Sequence, residues 1–158
     1  MKFLLFLCAC LPLAAADIRD TRWQGGTGEW SDEAHWTQGV PDPWSRVSMN
    51  GVLAATLSTP RLMAVGGLRI GTNPGDRGRL ILDGGAELVA RRDFIIAGGS
   101  SDSEADILIE NGALHGVSAF YLGGSGEPHV AASTARLEIR GGSFLHRLIT
   151  LGWGQGAD

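Results

Sequence analysis

Cysteine is absent from the chain beyond Cys10, and lysine beyond Lys2. The first absence removes disulfides and thiol chemistry from everything downstream. The second leaves arginine as the only strong cation there. No apolar run reaches the roughly 20 residues that a membrane-spanning helix needs. The run Phe3–Leu13 is shorter, follows Lys2 and leads into Ala14-Ala15-Ala16. A positive start, a short apolar segment and a small-residue site make the pattern of a secretory leader over residues 1–16. Cleavage is expected after Ala16, giving an exported chain, extracellular or at the cell surface in association with the outer membrane. Cys10, preceded by Leu7-Cys8-Ala9, offers a lipoprotein alternative that would leave Leu11–Ala16 on the mature side. Without Lys2, 12 arginines face 17 acidic residues, which leaves a net charge of −5. An acidic exported chain has no general attraction to nucleic acid, so none is expected as a partner.

Catalytic signatures are missing too. His35, His115, His129 and His146 have no metal-ligand spacing, there is no H-E-x-x-H, and no G-x-S-x-G occurs. Asp102, Glu104 and Asp106 alternate as at the start of a calcium loop, but the turn glycine and distal glutamate are absent, so a solvated acidic loop is expected. Arg91-Arg92-Asp93 offers a base and a carboxylate for β-elimination on an acidic sugar, on the evidence of one tripeptide. "GGSGEP" and "GGSSDS" are turn material, because no helix follows to cradle a phosphate. No catalytic, cofactor-binding or metal-binding residue is expected, and no cofactor.

What is abundant is glycine: 24 of 158 residues, about twice the usual share, with no loss of apolar content. Glycine marks a repeat. "LILDGGAEL" at Leu80–Leu88, "ILIENGALH" at Ile107–His115 and "LEIRGGSFL" at Leu137–Leu145 align on Gly84-Gly85, Asn111-Gly112 and Gly141-Gly142, with spacings of 27 and 30 residues. Between them run "LRIG" at Leu68–Gly71, "FIIA" at Phe94–Ala97, "FYLG" at Phe120–Gly123 and "ITLG" at Ile149–Gly152, spaced 26, 26 and 29. A period in this range signals a solenoid. Apolar residues at i and i+2 identify strands: Leu80/Leu82, Ile107/Ile109, Leu137/Ile139, and in the second motif Leu68/Ile70, Phe94/Ile96, Phe120/Leu122 and Ile149/Leu151. The shared glycine pair suits turns that need positive φ, which Asn also tolerates. Stacking in parallel places Arg79, Asp106 and Arg136 in one outward column and Asp83, Glu110 and Arg140 in another. The predicted architecture is an all-β parallel β-helix of 26–30 residues per rung, with two strands and two turns in each, right-handed by the general crossover rule.

The opening "WQGGTGEWSDEAHWTQGVPDPW" holds Trp23, Trp30, Trp36 and Trp44, four of the five tryptophans. Residues 17–50 are expected to form a Trp-rich cap over the end of the core, with repeats over 51–158. The alternative for the aromatic residues is a sugar-stacking platform of Trp30, Trp36, Trp44 and Tyr121. At the other end, Ala157-Asp158 matches Ala105-Asp106, after which a strand begins in the earlier repeat. The chain is therefore expected to be the N-terminal piece of a longer array. The alternative is an open last rung that pairs with another copy.

With these motifs the chain resembles secreted bacterial β-solenoid proteins, namely passenger regions with autotransporter-associated β-strand repeats and similar arrays in PEP-CTERM-sorted surface proteins. The resemblance runs from Trp23 onward. His35 stands where that opening more often has Asn, and no translocator barrel or sorting signal follows within the sequence. The resemblance implies a structural or adhesive surface protein and carries over no catalytic residue. Extracellular polysaccharide or cell-surface matrix is the expected partner. The alternative is a carbohydrate-binding module, or a polysaccharide lyase or hydrolase on the same fold.

Overall fold

The computed structural model describes residues 18–100, 102–123 and 133–152. The leader with Cys10, as well as His129, Trp153 and Ala157-Asp158, lies outside them. The chain is a parallel β-solenoid of about five turns. Its strands are β1 (Arg19–Arg22), β2 (Gly26–Glu29), β3 (Ser45–Met49), β4 (Val52–Leu57), β5 (Leu62–Val65), β6 (Gly67–Ile70) and β7 (Arg77–Leu82). They continue with β8 (Glu87–Ala90), β9 (Ile95–Ala97), β10 (Glu104–Ile109), β11 (Gly112–Leu122), β12 (Thr134–Ile139) and β13 (Gly142–Leu151). Among the described residues no helix is long and apolar enough to cross a membrane.

Each rung has three sides rather than two. The first face is the ladder β2-β4-β7-β10-β12. The second runs β5-β8 and on to the front halves of β11 and β13. The third runs β1-β3-β6-β9 and on to the back halves of β11 and β13. The extra side is the short strand after the paired-glycine turn. β8 is "ELVA", whose alternating burial of Leu88 and Ala90 spans only four residues. In β11 and β13 the second and third sides merge into one bent strand, with the register shifting between Gly116 and Ala119.

The inward columns of the first face are those the alternation predicts. Leu80 pairs in register with Ile107, which pairs with Leu137, and Arg79, Asp106 and Arg136 share one outward column. On the third face the predicted phase is off by one residue in β9. Leu68 stands opposite Ile95, not Phe94, and Ile95 opposite Phe120. Ile95 and Ala97 are buried, whereas Phe94 and Ile96 face outward. "FIIA" is apolar on both faces, so alternation alone leaves its phase undetermined. The backbone fixes it: Gly71, Gly98, Gly123 and Gly152 occupy one corner, all with positive φ of 60–74°, each donating its N–H to the rung below. At the other corner Gly84, Gly85 and Gly142 have positive φ but Asn111 does not. Gly112 there answers to space instead, since a Cβ would lie 2.7 Å from the Ala86 carbonyl oxygen.

The tryptophan segment closes the N-terminal end of the core, but it is woven into the solenoid. β1 and β2 pair with β3 and β4 of the next rung, so residues 19–44 form the first rung. Between β2 and β3 the chain makes a 3-10 turn (Glu33–His35) capped by the Asp32 carboxylate, then folds back along β1. There Thr37 and Arg22 exchange hydrogen bonds, His35 accepts one from Gln24, and Trp36 bridges antiparallel to Trp23. This covers part of an edge that would otherwise be open to pairing. Trp23, Trp30 and Trp36 are all buried, with ring centroids 5.0 and 4.8 Å apart along the series. The Trp36 indole N–H donates to the Trp30 carbonyl at 2.7 Å. His35 stacks on Trp23 and lies over Gly28, where any larger residue would displace it.

Candidate functional site

The outward surfaces of the first and third faces are chemically opposite. On the first, charges answer one another across rungs. Arg77 pairs with Glu104, Arg79 with Asp106 at 3.2 Å, and Arg140 with Glu110 at 2.8 Å. Glu138 lies between Arg140 and Arg136, and the hydrogen bond from Arg140, more than any other favourable contact, holds its carboxyl below the ordinary range. The "SDSEAD" acids are thus largely strand rather than loop: Glu104 and Asp106 belong to β10 and are taken by arginines, while Asp102 turns the corner at φ 56°. Among the described residues no group of three or more His, Cys, Asp or Glu side chains could hold a metal ion.

On the third face Arg22, Arg69, Arg91 and Arg92 enter no ion pair among the described residues. An open groove there of about 530 Å³ is lined by Ile18, Trp44, Arg46, Gly66, Arg92 and Asp93. Trp44 stands on a braced turn. The Asp42 carboxylate accepts from the Trp44 N–H at 2.9 Å and the Ser45 hydroxyl at 2.8 Å, and Arg19 donates to its other oxygen. Burial alone would push the Asp42 carboxyl up, but these donors outweigh it and its pKa lies below the usual value. Pro43 stiffens the same turn. The Trp44 ring, 39% exposed, carries the Arg92 guanidinium at 3.6 Å from its centroid. Stacking orients a guanidinium without consuming its in-plane N–H donors. Arg46 reaches Asp93 at 3.6 Å. Gly66 and Gly67 let neighbouring segments pack closely beneath the groove: a Cβ on Gly66 would meet the Ser45 carbonyl oxygen at 3.0 Å, and one on Gly67 the Asp93 side chain at 2.7 Å. A second groove on this side holds Arg22 and Arg69 with Ser48, Asn50, Thr72 and Asn73.

The second face carries a relay absent from the sequence reading. Glu87 Oε1 lies 3.2 Å from His115 Nδ1, and His115 Nε2 lies 3.0 Å from Ser143 Oγ. Acid, imidazole and hydroxyl follow the order of a nucleophilic triad. The three occupy successive rungs: Glu87, Ala113 and Ser143 share one register column, and His115 reaches both side chains from two residues further along β11.

Of the proposed sugar-stacking residues, Trp30 and Trp36 are 1% and 3% exposed, so neither offers a face to a ligand. They belong to the same buried cluster as Leu53, Leu57 and Met63. Tyr121 is half-buried and set edge-to-face against Phe94 at 5.7 Å. Only Trp44 is prominently exposed, and the structure brings it together with Arg92 and Asp93 of the Arg91–Asp93 tripeptide, 48 residues away in sequence. Sequence reasoning missed Arg46, Arg22 and Arg69. Their signal was the column alignment of the third face, where Arg22, Ser48 and Arg69 share a register position. No protein-family model, curated protein or solved structure matches this chain.

Proposed function

We propose that the chain is an exported, non-catalytic structural or adhesive protein of the autotransporter-like or PEP-CTERM-like solenoid kind, holding contact surfaces on a rigid stack outside the cell. The observation that carries this reading is the unbroken rung-on-rung ladder on the first and third faces, which makes an extended, regularly spaced surface from short local units. The leader pattern at residues 1–16 supports export. The test is retention of the mature chain on cell envelopes and extracellular matrix, with the polysaccharide in contact assayed for new reducing ends. Retention without cleavage is expected; release of oligosaccharides overturns the non-catalytic part, and absence of retention overturns the adhesive part.

A second reading rests on Glu87–His115–Ser143 alone. In an acyl hydrolase Ser143 would attack an ester carbonyl, its proton passing to His115 Nε2 and then to the leaving alcohol, with water releasing the acyl group. The relay lies on a strand surface, with the Glu87 side chain 40% exposed, and such a site does little to exclude water. Hydrolysis of a soluble chromogenic ester that disappears in Ser143→Ala would establish this reading; equal rates for the two proteins dismiss it.

A further inference from the structure

We infer that the third face is a binding surface for a uronate-bearing polysaccharide, centred on Trp44, Arg92 and Arg46. This deepens the adhesive reading above by naming the chemistry that would be held. Two independent observations converge. The Arg92 guanidinium is oriented by its stack on Trp44 and yet has no hydrogen-bond or ion-pair partner among the described residues, so its fork of donors is available to a planar carboxylate. Trp44 is held outward by the Asp42–Ser45 turn instead of packing inward like Trp23, Trp30 and Trp36.

The mixture of charges selects the ligand class. Asp93 sits among the cations and can accept hydrogen bonds from hydroxyls, but it repels a dense run of phosphates or sulfates. A chain of −5 overall supplies no long-range attraction for a strong polyanion either. A sugar with one carboxylate, several hydroxyls and an apolar ring face matches arginine, aspartate and tryptophan together. The second groove extends the site. Arg22 and Arg69 share a column two rungs apart, about 9–10 Å at the usual strand spacing. A polymer lying across the rungs could therefore meet more than one cation. The first face, with its arginines already paired, provides the internal control.

The experiment uses the mature full-length chain in affinity electrophoresis and titration calorimetry. Probes are polygalacturonate, the same polymer methyl-esterified, dextran sulfate and duplex DNA. Binding to polygalacturonate is expected, with at least tenfold loss on esterification. Arg92→Ala and Trp44→Ala should each weaken it about tenfold or more, while Arg92→Lys, which keeps the charge but not the fork, should weaken it nearly as much as Arg92→Ala. Arg79→Ala on the first face should leave it unchanged. Circular dichroism of each variant separates loss of site from loss of fold, and Arg22→Ala supplies a second probe if Trp44→Ala unfolds. Equal binding to dextran sulfate or DNA, no binding to polygalacturonate, or equal loss in Arg79→Ala overturns the site. Retention on matrix that survives Arg92→Ala would overturn it while leaving the adhesive reading intact.

Discussion

The two ends of the described solenoid are built from the same ladders but closed very differently. At the N-terminal end three tryptophans fill the core and a returning segment covers part of the edge of β1. In the last described rung the corresponding inward positions, Ile149 and Leu151, are 48% and 68% exposed, and Leu145 and Leu148 lie open beside them. Its interior is finished by Phe144 and by His146, whose ring packs against Phe144 and Phe120 with no partner for either nitrogen. The difference teaches that an identical backbone does not give identical stability. In a one-dimensional stack each rung draws its energy from its neighbours, so the filling of the end rungs sets how tightly each end holds.

Core truncation should separate the ends most strongly. Trp36→Ala removes a buried ring and its hydrogen bond to Trp30, and is expected to cost about 3–5 kcal/mol. Phe144→Ala, with its side chain only partly buried, should cost less than half of that, read from urea unfolding of both variants. Equal costs would break the comparison. Reversal of a ladder charge comes next. Asp106→Arg sets three arginines in one column with Arg79 and Arg136, and should lower stability by about 1 kcal/mol, whereas reversing the unpaired Arg69 to Glu should cost almost nothing by the same assay.

Acid should loosen the last rung first. Burial, helped by the nearby His115, holds the His146 pKa below the ordinary imidazole value. Between that lowered value and about 6.5 the unfolded chain binds the proton and the folded chain does not, so stability rises with pH across this window and levels off above it. Protection of the β13 amides against hydrogen exchange, taken relative to the intrinsic rate at each pH, should fall on acidification through the window while that of β1 holds, and His146→Phe should abolish the difference. The smallest effect belongs to the exposed residues: Leu145→Ser and Leu151→Ser should shift stability by no more than about 0.5 kcal/mol, measured as a melting temperature.

The first face was legible although Ile81 and Leu108 stand on its outward side, because the small-residue pairs that follow each strand align Leu80, Ile107 and Leu137 from spacing alone. "FIIA" was not, because Phe94 and Ile96 are as apolar as Ile95 and Ala97; the corner glycine at position 98 was the better guide. The strand "ELVA" was hidden by its length, with one alternation too few to stand out from a turn. For the aromatic residues, tryptophan content could not separate Trp30 and Trp36, which are buried, from Trp44, which is exposed, because burial of an indole depends on what packs around it in the fold. Arg92 was noticeable in sequence, but Arg46, Arg22 and Arg69 gain meaning only once rungs are stacked. Glu87, His115 and Ser143 were missed because they are diagonal neighbours: the column is Glu87, Ala113 and Ser143, and His115 meets both from two residues away.

The corner glycines and the ladders between them also determine how the molecule would answer a pull. Every backbone hydrogen bond of the ladders points along the stacking axis, so tension at the last rung loads them one after another instead of all at once. Each peeled turn of 26 to 30 residues would release about 90–100 Å of extended chain, in discrete steps, with the tryptophan-filled turn the last to yield. Such a chain would act as a shock absorber whose firm end lies beside its first strand.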